Sequence, residues 1–433
     1  MTLRRFSEEL LILDAIKDWH TSHLRIKNVV LFVSDALRWD YLPEEVRSMG
    51  VTFKAVASGT FTPTSFASII SGEYQGLHGV YNFLSDWLSD DPSTLMNLDG
   101  YNCSFWTENI WTGFDPPTLA PIYNVGGCKQ RVPLKDLKTP FIYLEDEKGG
   151  HCPYGWSLVN NEYDESDCRK FFSDFGKKDL KELRKKYRTG AQRSLSEFQD
   201  RLKIIEDRGL LDETLVIFLS DHGELLGEYG GIVGHEHFTA PEVVYVPIVL
   251  IHPDLPKGET CEHEGVLRHV DLYPTIRSII GRTGPAVDGV SLVDMEKLPE
   301  FGFTFYVENG KLRKRKYTLE EISVWDKNGG YVFRTGLSRY QRLLRGLYLS
   351  IAYPDSLTAV YQRQRLRHFP WLIKNYETVL ANYYKSRIRY GNPSLKENQA
   401  RLLIEKAKSE YDRFREKQRI IRIIGKMKAQ SGI

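Results

Sequence analysis

Short, nearly unbroken apolar runs recur along the chain and are separated by charged stretches of helical period. The runs "NVVLFVS", "PFIYLE", "TLVIFLS" and "VPIVLI" show little polar alternation. That pattern suits strands covered on both faces. Between the second and third, "KKDLKELRKKYRTGAQRSLSEFQDRLKIIEDRG" predicts one or two charged helices closed by Gly209. Strands alternating with helices from Lys27 to about Ser291 predict an α/β/α sandwich around a mostly parallel sheet. Ahead of it, residues 5–19 predict an amphipathic helix with Phe6, Leu10, Leu13 and Ile16 on one side. Around 296–335 the pattern changes to short strands with "NGK" and "KNGG" turns. Beyond Leu337 it reads as helical, rich in Arg and Tyr, and is broken at Pro354, Pro370 and Pro393. The last segment sets Ala400, Leu403, Ala407, Tyr411 and Phe414 on one apolar stripe. The expected organisation is a helix over 1–26, a large α/β domain over 27–295, a small β-rich extension over 296–335 and a basic helical region over 336–433.

Charge divides the chain at the same place. The total is +2, but residues 1–335 carry a net −12 and residues 336–433 a net +14. The basic part therefore needs its own explanation: docking on the acidic body, an oligomer contact, or contact with an anionic membrane, where "IIRIIGKMK" would lie at the interface. Scattered Arg and Tyr without a recognisable nucleic-acid motif make nucleic acid the least favoured partner. At 41% hydrophobic and 12% aromatic the chain is too apolar for wholesale disorder. The longest uncharged apolar run, Val243–Ile251, is far short of the roughly 20 residues a spanning helix needs. The N-terminus opens with two arginines like a secretory leader, but Glu8, Glu9 and Asp14 interrupt it. Five cysteines without CxxC spacing fit a reducing compartment, so the expected location is cytoplasmic or peripheral to a membrane.

Three features lie at predicted strand ends, where open α/β sheets build their sites. Asp35 follows "VVLFVS"; it reads either as a ligand or as the N-cap of "ALRWDYL". Thr62 precedes Pro63 at the start of a helix running to Gly72; it reads either as an N-cap or as a hydroxyl placed where helix N–H groups favour an anion. Asp221 and His222 end "IFLSDH", and a carboxylate beside an imidazole can serve one divalent ion. "GHEHF" adds His235 and His237. His78, His269 and Asp271 read as packing or support residues, His20, His23, His252, His263 and His368 carry no pattern, and Arg38 with Asp40 predicts a local ion pair.

Taken in order, "SDALRWDYL", "TPTSFASIISGEYQGLHGV", "SDHGELLGEYG", "GHEH", "VPIVLI", "RHVDLYPTI" and "DGVSL" resemble the sulfatase family of the alkaline phosphatase superfamily over roughly residues 27–293. The resemblance implies that family's α/β/α fold and a metal-dependent catalytic domain. Departures matter for the chemistry. Sulfatases carry Cys or Ser, converted to formylglycine, in C/S-x-P-x-R; here those ends are Thr62 and Phe66, and "ENIW" stands where the family has "GKWH". Threonine cannot become formylglycine. It resembles instead the phosphodiesterase and phosphotransferase branches, in which this threonine is esterified. "YLEDEKGGHCPYG" resembles either a D-x-x-x-H metal pair, here Glu147 and His151, or the sulfatase "DPHFPY" segment, in which His151 would touch the substrate anion.

The implied site is one divalent ion (Mn, Zn, Mg or Ca) on Asp35, Thr62, Asp221 and His222, with a second ion left open. Thr62, His151 and His237 are the expected catalytic residues; Glu147, His151, His235, His237 and Asn109 are the expected second-metal or anion contacts. The expected activity is hydrolysis of phosphate esters, ahead of sulfate esters, on a small-molecule, glycan or lipid-linked substrate. The alternatives are a phosphotransferase acting on a glycan or lipid acceptor, and a non-catalytic binding protein on the same scaffold.

Overall fold

The structure is a computed structural model of the chain and describes residues 2–22, 26–80, 94–107, 132–152, 154, 180–235, 239–262, 265–312, 315–342, 385–409 and 412. Eight strands form the central sheet: β1 (Asn28–Ser34), β2 (Val51–Val56), β3 (Asn102–Thr107), β4 (Phe141–Glu147), β5 (Thr214–Leu219), β6 (Tyr245–Ile251), β7 (Glu259–Cys261) and β8 (Leu267–Arg268). Their order is β8-β2-β6-β5-β1-β4-β3, with β7 also on β2. Every pairing is parallel except those of β6, which runs against both β2 and β5. β1, β4 and β5 are buried along their whole lengths, as their unalternating sequences require.

Strand alternation sends side chains to two different helical layers. Val29, Leu31 and Val33 join Ile142, Leu144, Ile217 and Leu219 in a core shared with helices α1 (Thr2–Ser22), α2 (Thr62–Ser71) and, later in the chain, His269–Ile279. Val30 and Phe32 join Phe141, Tyr143 and Phe218 against Phe198 of α3 (Leu180–Asp207). The charged stretch before Gly209 is thus one helix, and His269–Ile279 is α4. Ile12, Leu13, Ile16 and Trp19 of α1 are buried in the first core, so the N-terminal helix is part of the large domain rather than a separate unit. No helix among the described residues is long and apolar enough to cross a membrane.

A second sheet is fully antiparallel: β9 (Gly302–Leu312), β10 (Arg315–Asp326), β11 (Gly329–Thr335) and β12 (Arg387–Gly391). The boundary expected at 335/336 therefore does not hold, because the basic region supplies the fourth strand. A helix over 397–409, α5, buries Ala400, Ile404 and Ala407 against Phe305, Ile322, Val324 and Tyr331 of this sheet. Tyr411, Phe414 and "IIRIIGKMK" lie outside the described residues. The small sheet meets the large one at the end of β2. Thr304 Oγ1 donates to the Ala57 carbonyl at 2.6 Å, and the Phe305 N–H donates to Ser58 at 2.9 Å. Four residues on is Thr62.

Candidate functional site

Parallel strands deliver their C-terminal ends to one edge of a sheet, and β1, β4 and β5 put Asp35, Asp146 and Asp221 there. Asp35, Asp221 and His222 gather so that one donor atom from each lies within 4.8 Å of the others. All three are fully buried. Asp221 Oδ1 accepts the N–H groups of Ala36 (3.1 Å) and His222 (2.9 Å), which fixes the carboxylate and turns Oδ2 inward. Asp35 Oδ1 and Asp221 Oδ2 are buried acceptors with no hydrogen-bond partner. They lie 3.5 Å and 3.4 Å from His222 Nε2. Burying two such oxygens is costly unless a cation faces them. His222 Nδ1–H donates to the Gly223 carbonyl at 2.9 Å, which leaves Nε2 as the lone-pair nitrogen. Two carboxylate oxygens and an imidazole nitrogen are donors that suit a divalent ion. Orphaned oxygens and a preset tautomer together make these residues fit one.

Thr62 completes the group. Phe61, in extended conformation, is the N-cap of α2, and Thr62 is its first helical residue. The threonine is therefore not the cap, and its Oγ1 instead lies 3.5 Å from His222 Nε2. It sits at the helix end whose free N–H groups and dipole favour an anion. Ala36 holds φ at 60°, a left-handed conformation unusual for alanine. Its N–H bonds Asp221 and its carbonyl accepts the Tyr187 hydroxyl, so the turn after β1 is clamped from two sides.

Two residues that the sequence reading passed over hold the other side of Asp35. The Lys148 ammonium bonds Asp35 Oδ2 and forms a 3.0 Å ion pair with Asp146. Gly150 lets this segment lie against β1: an added Cβ there would stand 2.4 Å from the Asp35 carbonyl oxygen. Burial alone would raise the Asp35 carboxyl, but the charges of Lys148, His151 and His222 outweigh it and hold Asp35 well below the usual range. Asp221 goes the other way, pushed up to about 7 by burial and by the neighbouring Asp35 charge.

A histidine cluster borders the group. The ring of His235 lies 4.2 Å from that of His222 and 5.2 Å from that of His151. His235 Nδ1 pairs at 3.0 Å with Glu224, a buried carboxyl that burial pushes up to about 8. His151 Nδ1–H donates to the Cys152 carbonyl at 2.8 Å, and burial takes its pKa down to about 4. Glu147 does not join them. Its carboxylate turns to the α3 face, where it accepts Ser194 Oγ–H and the Gly149 N–H and faces Arg193 at 3.8 Å. Among the described residues no second cluster of metal-donor side chains forms. His237 and Asn109 lie outside the described residues, as do His23, His263 and His368. Arg38 and Asp40 form the expected ion pair at 2.7 Å.

His269 and His78 are buried supports. His269 Nδ1 accepts the Ser58 N–H and its Nε2–H donates to the Ser220 carbonyl, joining the chain ahead of Thr62 to the strand of Asp221. His78 accepts the Val80 N–H and bonds Ser68 on α2. Burial takes both pKa values down to about 3. Between about pH 6.5 and pH 3 the unfolded chain protonates these imidazoles and the native protein does not, so stability falls with pH. Each histidine is expected to cost roughly 1.6 kcal/mol between pH 6.5 and pH 5. Urea unfolding at the two pH values should show this loss, and His78→Gln should reduce it; an unchanged slope in that variant would contradict the assignment.

Comparison with known proteins identifies the family and the fold. The sulfatase family profile matches residues 151–281. The low-salt glycan biosynthesis sulfotransferase Agl7 of Haloferax volcanii is 35% identical over 338 residues, covering 74% of this chain and 77% of that protein. Arylsulfatase K of Homo sapiens is 27% identical over 218 residues, 47% of this chain and 39% of its own length. A solved 2-O GAG sulfatase superposes with a TM-score of 0.57 at 14% identity, over 87% of this chain and 99% of its own. The phosphonate monoester hydrolase of Agrobacterium radiobacter superposes at 0.53 and 15% identity, over 82% and 96%. At these identities the two structures speak to the fold alone.

Proposed function

Since the chain belongs to the sulfatase family of the alkaline phosphatase superfamily, we propose that it moves a sulfuryl or phosphoryl group from an anionic ester, through Thr62, onto a hydroxyl acceptor on a glycan. The observation that carries this reading is the Thr62 hydroxyl at 3.5 Å from His222 Nε2, at a helix N-terminus and beside two orphaned carboxylate oxygens. A divalent ion held by Asp35, Asp221, His222 and Thr62 would supply Lewis-acid polarisation of the threonine oxygen and of the transferred group.

The protein's own groups do the rest. Thr62 Oγ attacks sulfur or phosphorus, the bond to the leaving oxygen breaks, and the hydroxyl proton of Thr62 ends on that leaving oxygen. The free N–H groups at the start of α2 receive negative charge developing on the non-bridging oxygens. His235, next to His222, and His151, next to His235, are the groups we assign to steady the leaving oxygen and the incoming acceptor. An acceptor hydroxyl then attacks the Thr62 ester, takes the group, and returns the proton to Thr62. A threonine ester has no second hydroxyl on the same carbon, so the group cannot leave by collapse to a carbonyl and must be displaced by an oxygen nucleophile. Release to water is the same step with water as acceptor. Replacement of formylglycine by threonine alone favours phosphate; the relative named a glycan sulfotransferase supports sulfate and a sugar acceptor equally.

A panel tests it: nitrophenyl sulfate, phosphate monoester, bis-ester and phosphonate ester, each with added Mn, Zn, Mg or Ca and with or without a sugar acceptor. The expected result is metal-dependent release of nitrophenol that rises with acceptor concentration and gives a sulfated or phosphorylated sugar. Inertness on all four donors under every metal would contradict the reading and favour a binding protein on this scaffold.

A further inference from the structure

The net +14 of residues 336–433 is not used by the site just described, yet part of it converges on one cavity. Between β11, β12 and residues 337–342 lies a cleft of about 570 Å³, within the range of small-ligand pockets. Five of its eight lining residues are cationic, Arg334, Arg339, Arg342, Lys385 and Arg387, with the hydroxyls of Ser338 and Ser386 between them; none is acidic. The walls are built rather than accidental. The Arg334 N–H donates to the Ser386 carbonyl at 2.9 Å, and Arg334 is fixed at 2.6 Å to the buried carboxylate of Glu321. Arg342 donates to the Leu337 carbonyl at 2.7 Å. Burial and the adjacent Arg334 charge both hold the Arg342 guanidinium below its usual pKa. Ser338, Arg339, Lys385, Ser386 and Arg387 are exposed, so the cleft is open to solvent, and Arg387 pairs with Glu397; the like charges gathered there are relieved when an anion enters.

Two contacts tie this cleft to the catalytic edge. Leu337, on its wall, packs with Tyr306 and Leu319 against Phe61, the residue directly before Thr62. Glu321, which holds Arg334, also accepts the hydroxyl of Thr239, just beyond the "GHEHF" segment. We infer that the cleft is an anion subsite holding a second sulfate, phosphate or carboxylate group of the glycan whose ester is worked on at Thr62. The ligand class rests on the proposed function; the subsite itself rests on the geometry. Arginine forks and serine hydroxyls are the groups that grip tetrahedral oxyanions. The protein thereby selects multiply charged sugars over singly charged ones.

Binding tests it without turnover. The probe is a fluorescein-labelled, heparin-derived tetrasaccharide, measured on the wild type, on R339A/K385A and on T62A, with phosphatidylserine vesicles as a parallel arm. Arg339 and Lys385 are exposed, so the double variant should fold normally. Salt-sensitive binding by the wild type and T62A, weakened about tenfold or more in R339A/K385A, is expected. Equal binding by R339A/K385A and wild type would overturn the subsite, as would a difference seen only with vesicles, which would assign the cleft to lipid headgroups. An enzyme inert on every ester that still shows the tenfold difference would sink the reaction and leave the subsite standing.

Discussion

Thr62→Ala is expected to lower turnover of the best donor ester by about ten-thousandfold or more, the scale seen when a covalent nucleophile is removed. Among the described residues the side chain makes one polar contact, the 3.5 Å approach to His222, and caps no helix, so its loss should leave the fold and thermal stability near wild type. Thr62→Ser keeps the hydroxyl and loses only a methyl group; its turnover should stay within roughly tenfold of wild type. If the alanine variant turned over like the serine variant, the nucleophile would have to be sought elsewhere. Circular dichroism and unfolding curves on both variants exclude misfolding as the cause.

Removal of the proposed divalent ion is expected to have the second large effect. Chelation should abolish turnover, and readdition should restore it while raising the midpoint of thermal unfolding. At about one hundred times its dissociation constant an ion stabilises the native state by roughly 2.7 kcal/mol. Asp221→Asn should lose both responses. The Asn carbonyl can still accept the Ala36 and His222 N–H groups, so the amide NH₂ takes the place of Oδ2 and presents a donor where the cation needs an acceptor. Without metal, the pH dependence has a definite sign. The Asp221 carboxyl is raised to about 7 by burial and the Asp35 charge, so between about pH 4 and pH 7 the unfolded chain ionises it while the native protein does not, and stability is lost as pH rises across that window. Metal-free Asp221→Asn should therefore be more stable than metal-free wild type at pH 8, with the gap closing as pH falls from about 7 towards about 4. A variant less stable at pH 8, or one that still responded to metal, would contradict the assignment.

How much of this could be read from the sequence follows from what each element depends on. Long buried strands announce themselves, because a strand covered on both faces has no room for polar alternation; β1, β5 and β6 were legible for that reason. Asp35, Asp221 and His222 were legible because they directly follow such runs. In "LEDEK" the Glu147 carboxylate points away from the Asp35 group, and strand parity explains why. Glu147 is in phase with Tyr143 and Glu145, which face α3, whereas Asp146 is in phase with Ile142 and Leu144, on the face of α2. Counting in twos from the apolar positions would have selected Asp146. Lys148 carries no such signal, since its approach to Asp35 depends on the turn through Gly149 and Gly150. β12 was also missed. Its Arg387-Ile388-Arg389-Tyr390 alternation is strand-like, but a strand of five residues within a sequence of helical pattern declares itself only through its partner β11.

The central claim is that Thr62 carries the transferred group. It is tested most directly by acid-quenching the metal-loaded wild type during turnover of its best donor ester and mapping the peptides by mass spectrometry. One sulfuryl or phosphoryl adduct is expected on the peptide containing Thr62, located at that residue, and lost when an acceptor is added before the quench. Turnover with the adduct on another residue would contradict it, as would burst kinetics that report a covalent intermediate while Thr62 stays unmodified.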